Sequence, residues 1–574
     1  MSSTPTPIAA GRRKSSVTLG YPHVGSLVGS LGGAVGRQGF ADFMKPSPEN
    51  AANYIAIEGD IVNDGDGTIL DSGVGAPTEM ERLLNERQAL LEDNNIPVEY
   101  GANEPPIAAI EHAWDEAVAE GHIKTNAKRE IKVLFSNAIP LAITFFLQYS
   151  LVVTSVFSVG HIGKLELGAV SLASMTANIT GFAVIQGMAT CLDTLCSQAY
   201  GAGRKDLVGL YFQKCFCMSL VCFIPVWILW YYCDVVLGWI LPPGQEELIK
   251  LAHDYLRIVS FGIPGWSLFE CGKRFLQAQG IFHASTYVLM ICAPLNAVLN
   301  YAFVWSDAIG IGFQGAPLAV CVTDWVMALL LGLYVVFVDG KKCWYGIQWK
   351  HLLSEWGILV KLALPGVIMV ESEFMAFEVL TLSSSHLGTT ALASQTVLSS
   401  VSSLVYQIPF SFSVAVSTRV ANYVGAGLKD AAKMTARVAN ITSFAVCIFD
   451  GILLYLFRVQ IASVFTNDKD VIKMVSDAIQ VVVVMHVFDG NAIASAGVLR
   501  GQGRQRIGGM LNLGYYYLVG VPAALYAAFT LKLGIEGLWM GITAAIIGIC
   551  GTAFYFIHNS DWDALIELSK RTIV

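Results

Sequence analysis

Charge is scarce in this sequence. Lys, Arg, Asp and Glu make up 14% of the 574 residues, whereas hydrophobic residues make up 54%, and the mean hydropathy is +0.56. A water-soluble chain of this length needs more charge on its surface, but a surface that faces lipid can remain apolar. The scarcity of charge therefore excludes an ordinary soluble domain and predicts a multi-pass integral membrane protein.

Basic stripes, paired cysteines and catalytic constellations are also missing. The net charge of −8 is spread among tails and loops, so no basic surface suits a nucleic acid. The 12 cysteines contain no CxxC pair, which favours apolar membrane-core residues over disulfides or zinc ligands. The 10 histidines are scattered, and no nucleophile stands beside a base. We therefore expect no enzyme, no metal and no other cofactor.

Long apolar runs are abundant, and each can cross a hydrocarbon core of about 30 Å as a helix. The alternating pattern of a membrane barrel is absent. Seven runs are free of charge: 134–163, 167–192, 215–233, 275–306, 379–418, 507–531 and 537–560. Five others carry one or a few charges: 251–274, 315–338, 356–378, 431–458 and 471–499. The sequence predicts an all-α polytopic membrane protein with about twelve transmembrane helices.

Basic residues concentrate on alternate loops. One set of loops holds Arg204, Lys205, Lys341 and Lys342, whereas the other set holds scattered lysines and the acidic segment 242–247. If the first set is cytoplasmic, the positive-inside rule places both termini in the cytoplasm. The rule does not choose the membrane; the strings that resemble sorting signals, described next, and the family resemblance given below favour a vacuolar or plasma membrane.

The first 127 residues differ in composition from the rest. They are rich in Ser, Thr, Pro and Gly, which predicts a disordered cytoplasmic tail. The tail has no phosphate-loop motif and no apolar signal-peptide region. It contains two ExxxLL strings that resemble sorting signals read by cytoplasmic adaptors, although an amphipathic helix would give the same spacing. The strings consist of Glu79, Leu83 and Leu84, and of Glu86, Leu90 and Leu91.

The sequence is internally duplicated. Six landmarks recur in order at an offset of 220 to 225 residues: Pro140 and Pro365, HIG 161 and HLG 386, LAS 172 and LAS 392, GAGRKD 201 and GAGLKD 425, LQAQG 276 and LRGQG 499, and GFQG 312 and GIEG 534. The constant offset indicates a repeated unit of six spans. Because six is even, both copies have the same orientation, and their pseudo-two-fold axis follows the membrane normal.

The duplication predicts two pseudo-symmetric six-helix bundles around a central cleft. We call residues 128–355 the N-lobe and residues 356–559 the C-lobe, followed by a cytoplasmic C-terminal tail at 560–574. The GAGRKD and GAGLKD turns join the second and third helix of each bundle on the cytoplasmic side. Glycine permits the tight reversal there, so we assign these turns a structural role and no substrate.

Carboxylates inside apolar runs are the candidate functional residues. A charge deep in a membrane span costs about 3 kcal/mol or more, so it faces a wet cavity or has a structural partner. An acidic cleft with few basic residues at the same depth suits a cation or a proton, and one carboxylate can exchange the two. The candidates are Glu270, Asp324, Glu371, Glu373, Glu378, Asp450 and Asp489.

Three of these acids fall within eight residues, just after Pro365. At 100° per residue, Glu371 and Glu378 share a helix face, whereas Glu373 lies about 140° from Glu378. The three therefore cannot all face one narrow site on a regular helix. Hydrogen bonding within the bundle is the structural alternative for each acid.

Four strings resemble one transporter family: HIGKLELGAVSLA, CLDTLCSQAYGAGR, GVLRGQGRQRIGG and GYYYLVGVP. The chain resembles the multidrug and toxic compound extrusion (MATE) transporters from about residue 130 to 557, in their eukaryotic and especially fungal branch. The resemblance implies a V-shaped pair of lobes and the export of organic cations, xenobiotics or metabolites by proton-coupled antiport with alternating access.

The resemblance also implies site residues. Glu373 and Glu378 match the family's acids in the seventh span, and Asp489 stands where a Glu is often found in the tenth; these three are our proton- and substrate-binding candidates. Glu371, Asp324 and Glu270 are secondary candidates.

There are two departures from the family pattern. Ser400 replaces a glutamate of some relatives, and the first span lacks the N-lobe aspartate of prokaryotic relatives. We therefore favour proton coupling through the C-lobe, in a monomer embedded in lipid. A sodium-coupled exporter, a lipid-type flippase of similar fold and a passive channel are the alternatives.

Overall fold

The computed structural model describes residues 79–100, 106–240 and 245–573, and all regular structure in these ranges is helical. Two helices precede the membrane region: α1 (Glu79–Asp93) and α2 (Pro106–Ala119). The N-lobe contains α3 (Ala127–Gly160), α4 (Lys164–Ala177), α5 (Ala183–Gly201), α6 (Lys205–Tyr231), α7 (Cys233–Ile240), α8 (Glu246–Val259), α9 (Ile263–Ala278), α10 (His283–Trp305) and α11 (Gly315–Phe337).

The C-lobe repeats this arrangement and is followed by a terminal helix. It contains α12 (Gly357–Ser385), α13 (Thr389–Gly425), α14 (Lys429–Leu456), α15 (Arg458–Phe465), α16 (Lys469–Gly501), α17 (Gln505–Tyr515), α18 (Val521–Leu525) and α19 (Gly534–His558). The terminal helix is α20 (Trp562–Ile573).

Twelve spans can be assigned in the described residues, as the sequence predicts. Nine helical segments are long and apolar enough to cross a membrane. The other three spans are α8 with α9, α12, and the segment 505–530. Helices α8 and α9 are separated by a break at 260–262, α12 carries three acids and a lysine, and segment 505–530 contains two π-helical turns.

A third π-helical turn lies in the second span. Asn178–Phe182 joins α4 to α5 in one long helical segment. Such π-turns insert one extra residue into a helical turn and often occur at functional sites. Here Asn178 and Phe182 line the central cavity described below.

The two lobes touch where α5 and α13 end, at the duplicated GAG turns. A Cβ atom placed on Gly201 would lie 2.9 Å from Asn422 Cα, and one placed on Gly425 would lie 2.8 Å from Gln198 Cα. The two contacts are equivalent, because 425 − 201 and 422 − 198 both equal the repeat offset of 224. Glycine is therefore required here by a close helix approach as well as by the turn.

Polar contacts reinforce this end of the lobe interface. Thr194 Oγ1 on α5 donates to the backbone oxygen of Arg500 at 2.5 Å, and Gln198 Nε2 donates to the backbone oxygen of Gly501 at 3.0 Å. On the neighbouring pair of helices, Arg419 Nη2 donates to Glu130 Oε1 at 2.9 Å. The lobes are thus joined by hydrogen bonds and an ion pair at one membrane face.

The N-terminal segment differs from the disordered tail predicted from composition. Helices α1 and α2 place Leu84, Leu91 and Ile110 in a buried cluster with Phe412 and Val416 of the C-lobe. The physical reason is the helical spacing of the leucines, which gives α1 an apolar face that the lobes cover. Residues 1–78 lie outside the described residues, so the disordered tail remains a prediction for them.

The tail helices contact both lobes. Glu86 of α1 forms an ion pair with Arg419 of the C-lobe, and Glu111 of α2 lies 3.8 Å from Lys342 of the N-lobe. Leu90 and Leu91 are 1% and 0% exposed, so an adaptor cannot reach this dileucine in the observed conformation. The burial favours the amphipathic-helix interpretation of the second ExxxLL string.

Candidate functional site

A central cavity of about 500 Å³ lies between the lobes. That volume suits a drug-sized molecule. The N-lobe wall includes Gln148, Tyr149, Asn178, Trp266, Asn296 and Asp324, and the C-lobe wall includes Glu373, Phe374, Glu378, Tyr406, His486 and Asp489. The wall therefore combines aromatic rings with carboxylates from both halves of the chain.

Most of the acids selected from the sequence meet at this cavity. Glu270, Asp324, Glu373, Glu378 and Asp489 all line it. Three positions do not line it: Glu371, Asp450 and Ser400. The grouping on α12 differs from the one that regular helical angles predict: Glu373 and Glu378 both line the cavity although they lie about 140° apart, whereas Glu371, on the face of Glu378, does not. The side chain of Ser400 instead donates to the backbone oxygen of Thr396 at 2.8 Å.

Glu373 and Asp489 lie where the central cavity meets a smaller one. The smaller cavity, of about 50 Å³, is lined by both carboxylates together with Tyr406, Arg500 and Asn512. Helix α12 supplies Glu373 and helix α16 supplies Asp489. Among the described residues, neither carboxylate forms a side-chain hydrogen bond or an ion pair within 4.0 Å. Both are therefore available to a proton or a cation.

Glu270 lines the cavity but has a different environment from the other acids. Lys273 Nζ donates to Glu270 Oε1 at 2.6 Å, and Arg274 Nη1 donates to Glu270 Oε2 at 2.6 Å. Gln148 Nε2 donates to Oε1 at 3.0 Å. The sequence predicted few basic residues at the depth of the acids, but Lys273 and Arg274 are buried there, 3% and 5% exposed. Glu270 is the anion of a buried ion-pair network.

The same network contains two residues that the sequence analysis missed. Asp193 Oδ1 on α5 lies 3.1 Å from Arg274 Nε, and its Oδ2 lies 3.7 Å from Arg500 Nε. Arg500 belongs to the C-lobe, so the network crosses the interface. The sequence does contain a sign of this pairing: Asp193 and Arg500 each stand in an apolar stretch, MATCLDTLC and SAGVLRG. A charge in such a stretch needs a partner.

His486 is a third residue that the sequence analysis missed. It lies in the cavity wall three positions before Asp489 on α16, and therefore on a similar face. Its Nε2 lies 3.8 Å from Asp450 Oδ2, and each of these two atoms is buried without a hydrogen bond. Asp450 itself does not line the cavity, but it lies next to His486, which does.

In the described part of the chain, no three or more His, Cys, Asp or Glu side chains lie close enough together to hold a metal ion. The acids are instead distributed along opposite walls of the cavity. That distribution suits a soluble ligand with separated charges more than a single coordinated metal.

Comparison with known proteins decides the family. The MatE family model matches twice, at residues 140–302 and 365–526. The chain belongs to the MatE family. Since 365 − 140 is 225, the two matches also reproduce the repeat found in the sequence. A MatE chain is a transporter, and the described helices make this one a multi-pass membrane protein.

Similar MatE proteins occur in fungi, plants and animals. The chain is 42% identical to an uncharacterized transporter of Schizosaccharomyces pombe, over 83% of this chain and 87% of that protein. It is 34% identical to Protein DETOXIFICATION 16 of Arabidopsis thaliana, over 78% and 92% of the two chains. It is 31% identical to Multidrug and toxin extrusion protein 2 of Mus musculus, over 78% of each.

Solved structures share the two-lobe fold. The crystal structure of the eukaryotic MATE transporter AtDTX14 aligns with a TM-score of 0.73 and 28% identity, covering 78% of this chain and all of that one. A MATE crystal structure in the bent conformation aligns with a TM-score of 0.68 and 18% identity, covering 78% and 98%. The predicted fold class is confirmed by these similarities.

Proposed function

We propose that this MatE chain is a secondary active antiporter that exports organic cations, including xenobiotics or metabolites, in exchange for protons. The observation that carries the proposal is the pair Glu373 and Asp489, two carboxylates that line both cavities and have no side-chain partner among the described residues. A carboxylate without a fixed partner binds either a proton or a cation, but not both.

The exchange follows from this competition. A deprotonated Glu373 holds a cation that entered from the cytoplasm. Protonation from the opposite, acidic side removes the negative charge and releases the cation, and the proton then moves inward as the lobes change orientation. Exchange of one proton for one monovalent cation moves no net charge, so a pH gradient drives it without help from the membrane potential.

Alternating access is supported by the position of the interlobe contacts. The GAG turns that hold the lobes together carry basic residues, which places them on the cytoplasmic side under the positive-inside rule. The observed conformation is then closed toward the cytoplasm. In this proposal the contacts of Gly201 and Gly425 separate when the cavity opens inward, and both chain termini remain cytoplasmic in a vacuolar or plasma membrane.

The cavity chemistry favours a cation exporter over a flippase for phosphate-bearing lipids. Anionic headgroups need exposed basic side chains, as at phosphate sites generally. Among the described residues that line the central cavity there is no lysine or arginine. Lys273 and Arg274, which follow the lining residue Glu270 on α9, are paired with it. Four other carboxylates remain in the wall: Asp324, Glu373, Glu378 and Asp489.

The test is transport in reconstituted vesicles. Labelled tetraethylammonium uptake is measured under an imposed pH gradient, with and without sodium, for the wild type, Glu373→Gln and Glu371→Gln. Glu371 is the matched control because it lies on the same helix but outside the cavity wall. We expect gradient-driven uptake in the wild type and Glu371→Gln, and background uptake in Glu373→Gln. Full uptake by Glu373→Gln would refute the assignment, and uptake that follows sodium instead would refute proton coupling.

A further inference from the structure

Asp324 is a buried carboxylate for which the described residues supply no hydrogen-bond or ion-pair partner. It lies on α11 in the N-lobe wall of the central cavity and is 4% exposed. Its Oδ2 atom is buried without a hydrogen bond. Within the described residues it has no ion pair within 4.0 Å. A Cβ atom placed on Gly262, in the break between α8 and α9, would lie 2.9 Å from Oδ2. Tyr255, Asn296 and Thr323 line the same cavity wall, and none of these residues is basic.

Glu270, a second buried acid in the N-lobe wall of the cavity, provides a comparison with Asp324. It accepts hydrogen bonds from Lys273, Arg274 and Gln148. These donors compensate the buried negative charge of Glu270. Removing the partner of a buried charge costs several kcal/mol in general. Asp324 has the same burial without those partners, so its missing partner must come from a proton or a ligand.

The surroundings of Asp324 favour a cationic ligand. Tyr255 and Trp266 line the same wall, and Phe182 packs edge-on against Trp266 with ring centroids 4.9 Å apart. Aromatic faces near a carboxylate stabilise quaternary and other organic ammonium groups through cation–π attraction. Asn296 accepts a hydrogen bond from Thr323 at 3.2 Å, which fixes a polar surface beside the carboxylate.

We propose that the central cavity binds organic dications, with one cationic group at Asp324 in the N-lobe and the other at Glu373 and Asp489 in the C-lobe. The inference rests on the proposed function, because it takes the C-lobe acids to bind a cation. It adds a second cation subsite and a substrate class. A monovalent cation would neutralise only one wall, whereas a dication neutralises both.

The position of the subsites on different lobes has a mechanical consequence. When the lobes change orientation, the distance between Asp324 and the C-lobe pair changes. A dication with a fixed spacing therefore binds well in one conformation and poorly in the other, and this differential affinity is what shifts a conformational equilibrium. Two protons then replace one dication, and the exchange again moves no net charge.

Binding and transport test the proposal separately. Calorimetry on detergent-solubilised protein measures the Kd of tetraethylammonium and of a series of bis-trimethylammonium alkanes of increasing chain length. The variants are Asp324→Asn, which is nearly isosteric, and Asp324→Ser as a second substitution in case the first is unstable. Asp307→Asn is the control, since Asp307 is an exposed acid of the same lobe outside the cavity wall.

We expect the wild type to prefer one chain length of the dication series over tetraethylammonium. Loss of the Asp324 carboxylate should weaken that dication about tenfold while the tetraethylammonium Kd stays within about twofold. Asp307→Asn should change neither value. Equal weakening of both ligands, or of neither, would overturn the proposal.

Transport of the same probes distinguishes this proposal from the function on which it rests. If Asp324-dependent dication binding is found but no pH gradient drives uptake, antiport fails and the dication site stands. If a pH gradient drives uptake and Asp324→Asn only lowers the number of protons exchanged, without weakening the dication, then Asp324 binds a proton and the dication site is refuted.

Discussion

At the residue scale, identical carboxyl groups acquire different roles from their surroundings. Glu270 and Glu373 both line the central cavity. Glu270 is held by two cations within 2.6 Å, whereas Glu373 has no side-chain partner in the described residues. The first is fixed as a carboxylate in a network of ion pairs, and the second exchanges a proton for a cation in the proposed mechanism.

Replacement of Glu270 by Gln should therefore damage stability. The substitution removes one carboxylate, so Asp193 is the remaining acid of the network for the two buried cations Lys273 and Arg274. Removing one partner of a buried ion pair costs about 3–5 kcal/mol. Thermal unfolding in detergent should show a large decrease in the melting temperature. Glu378→Gln is the comparison and should change the melting temperature little, because Glu378 is half-buried and forms no ion pair with any described residue. An equal melting temperature for Glu270→Gln and the wild type would contradict the network.

The sequence contained part of this distinction. Lys273 and Arg274 follow Glu270 by three and four residues, a spacing at which helical side chains meet. The pairing could have been inferred from that spacing alone. Asp193 could not, because its contacts with Arg274 and Arg500 join segments that are distant in the chain. Glu373 and Asp489 were both selected from the sequence as acids in apolar runs. Only the structure shows that they line the same cavity and have no side-chain partner among the described residues.

At the element scale, helix α1 illustrates an ambiguous pattern. Leucines at helical spacing predict either an amphipathic helix or a sorting signal, and only the structure shows where the apolar face lies. The twelve spans were predictable from apolar runs. The break at 260–262 and the π-turns were not, because inserting or unwinding one turn leaves composition and apolar length almost unchanged.

Leu91→Ala should release helix α1. Leu91 is fully buried, and truncation of a buried leucine to alanine costs about 2–5 kcal/mol. Limited proteolysis should then cleave the segment 94–105 faster than in the wild type. Asn85→Ala, at an exposed position of the same helix, serves as the control. Unchanged proteolysis together with altered membrane sorting would instead support the adaptor-signal interpretation.

At the scale of the whole molecule, duplication produces a symmetric contact between the lobes. The repeat was evident in the sequence, but a repeat does not say which surfaces of its two copies meet. The reciprocal contacts of Gly201 with Asn422 and of Gly425 with Gln198 supply that information. They also give the GAG turns a second role, because the reversal and the close approach both require glycine.

An alanine at either contact should destabilise the closed face, which is cytoplasmic in the proposed orientation. In Gly201→Ala or Gly425→Ala the added Cβ would overlap backbone atoms of the opposite lobe, so the lobes must move apart. A membrane-impermeant thiol reagent applied from the cytoplasmic side should label Ser197→Cys faster in either background. Gly332→Ala is the control, since a Cβ there meets nothing within 4 Å. Unchanged labelling in both glycine variants would contradict this account of the interface.

The most direct test of the central claim, that cation and proton movements are coupled, is the reverse flux. Vesicles containing the protein are loaded with tetraethylammonium, started without a pH gradient, held at zero membrane potential, and fitted with an internal pH dye. Antiport predicts that cation efflux drives protons inward and acidifies the lumen, and that Glu373→Gln abolishes the acidification. Cation efflux without a change of internal pH would contradict the account and indicate a passive pathway.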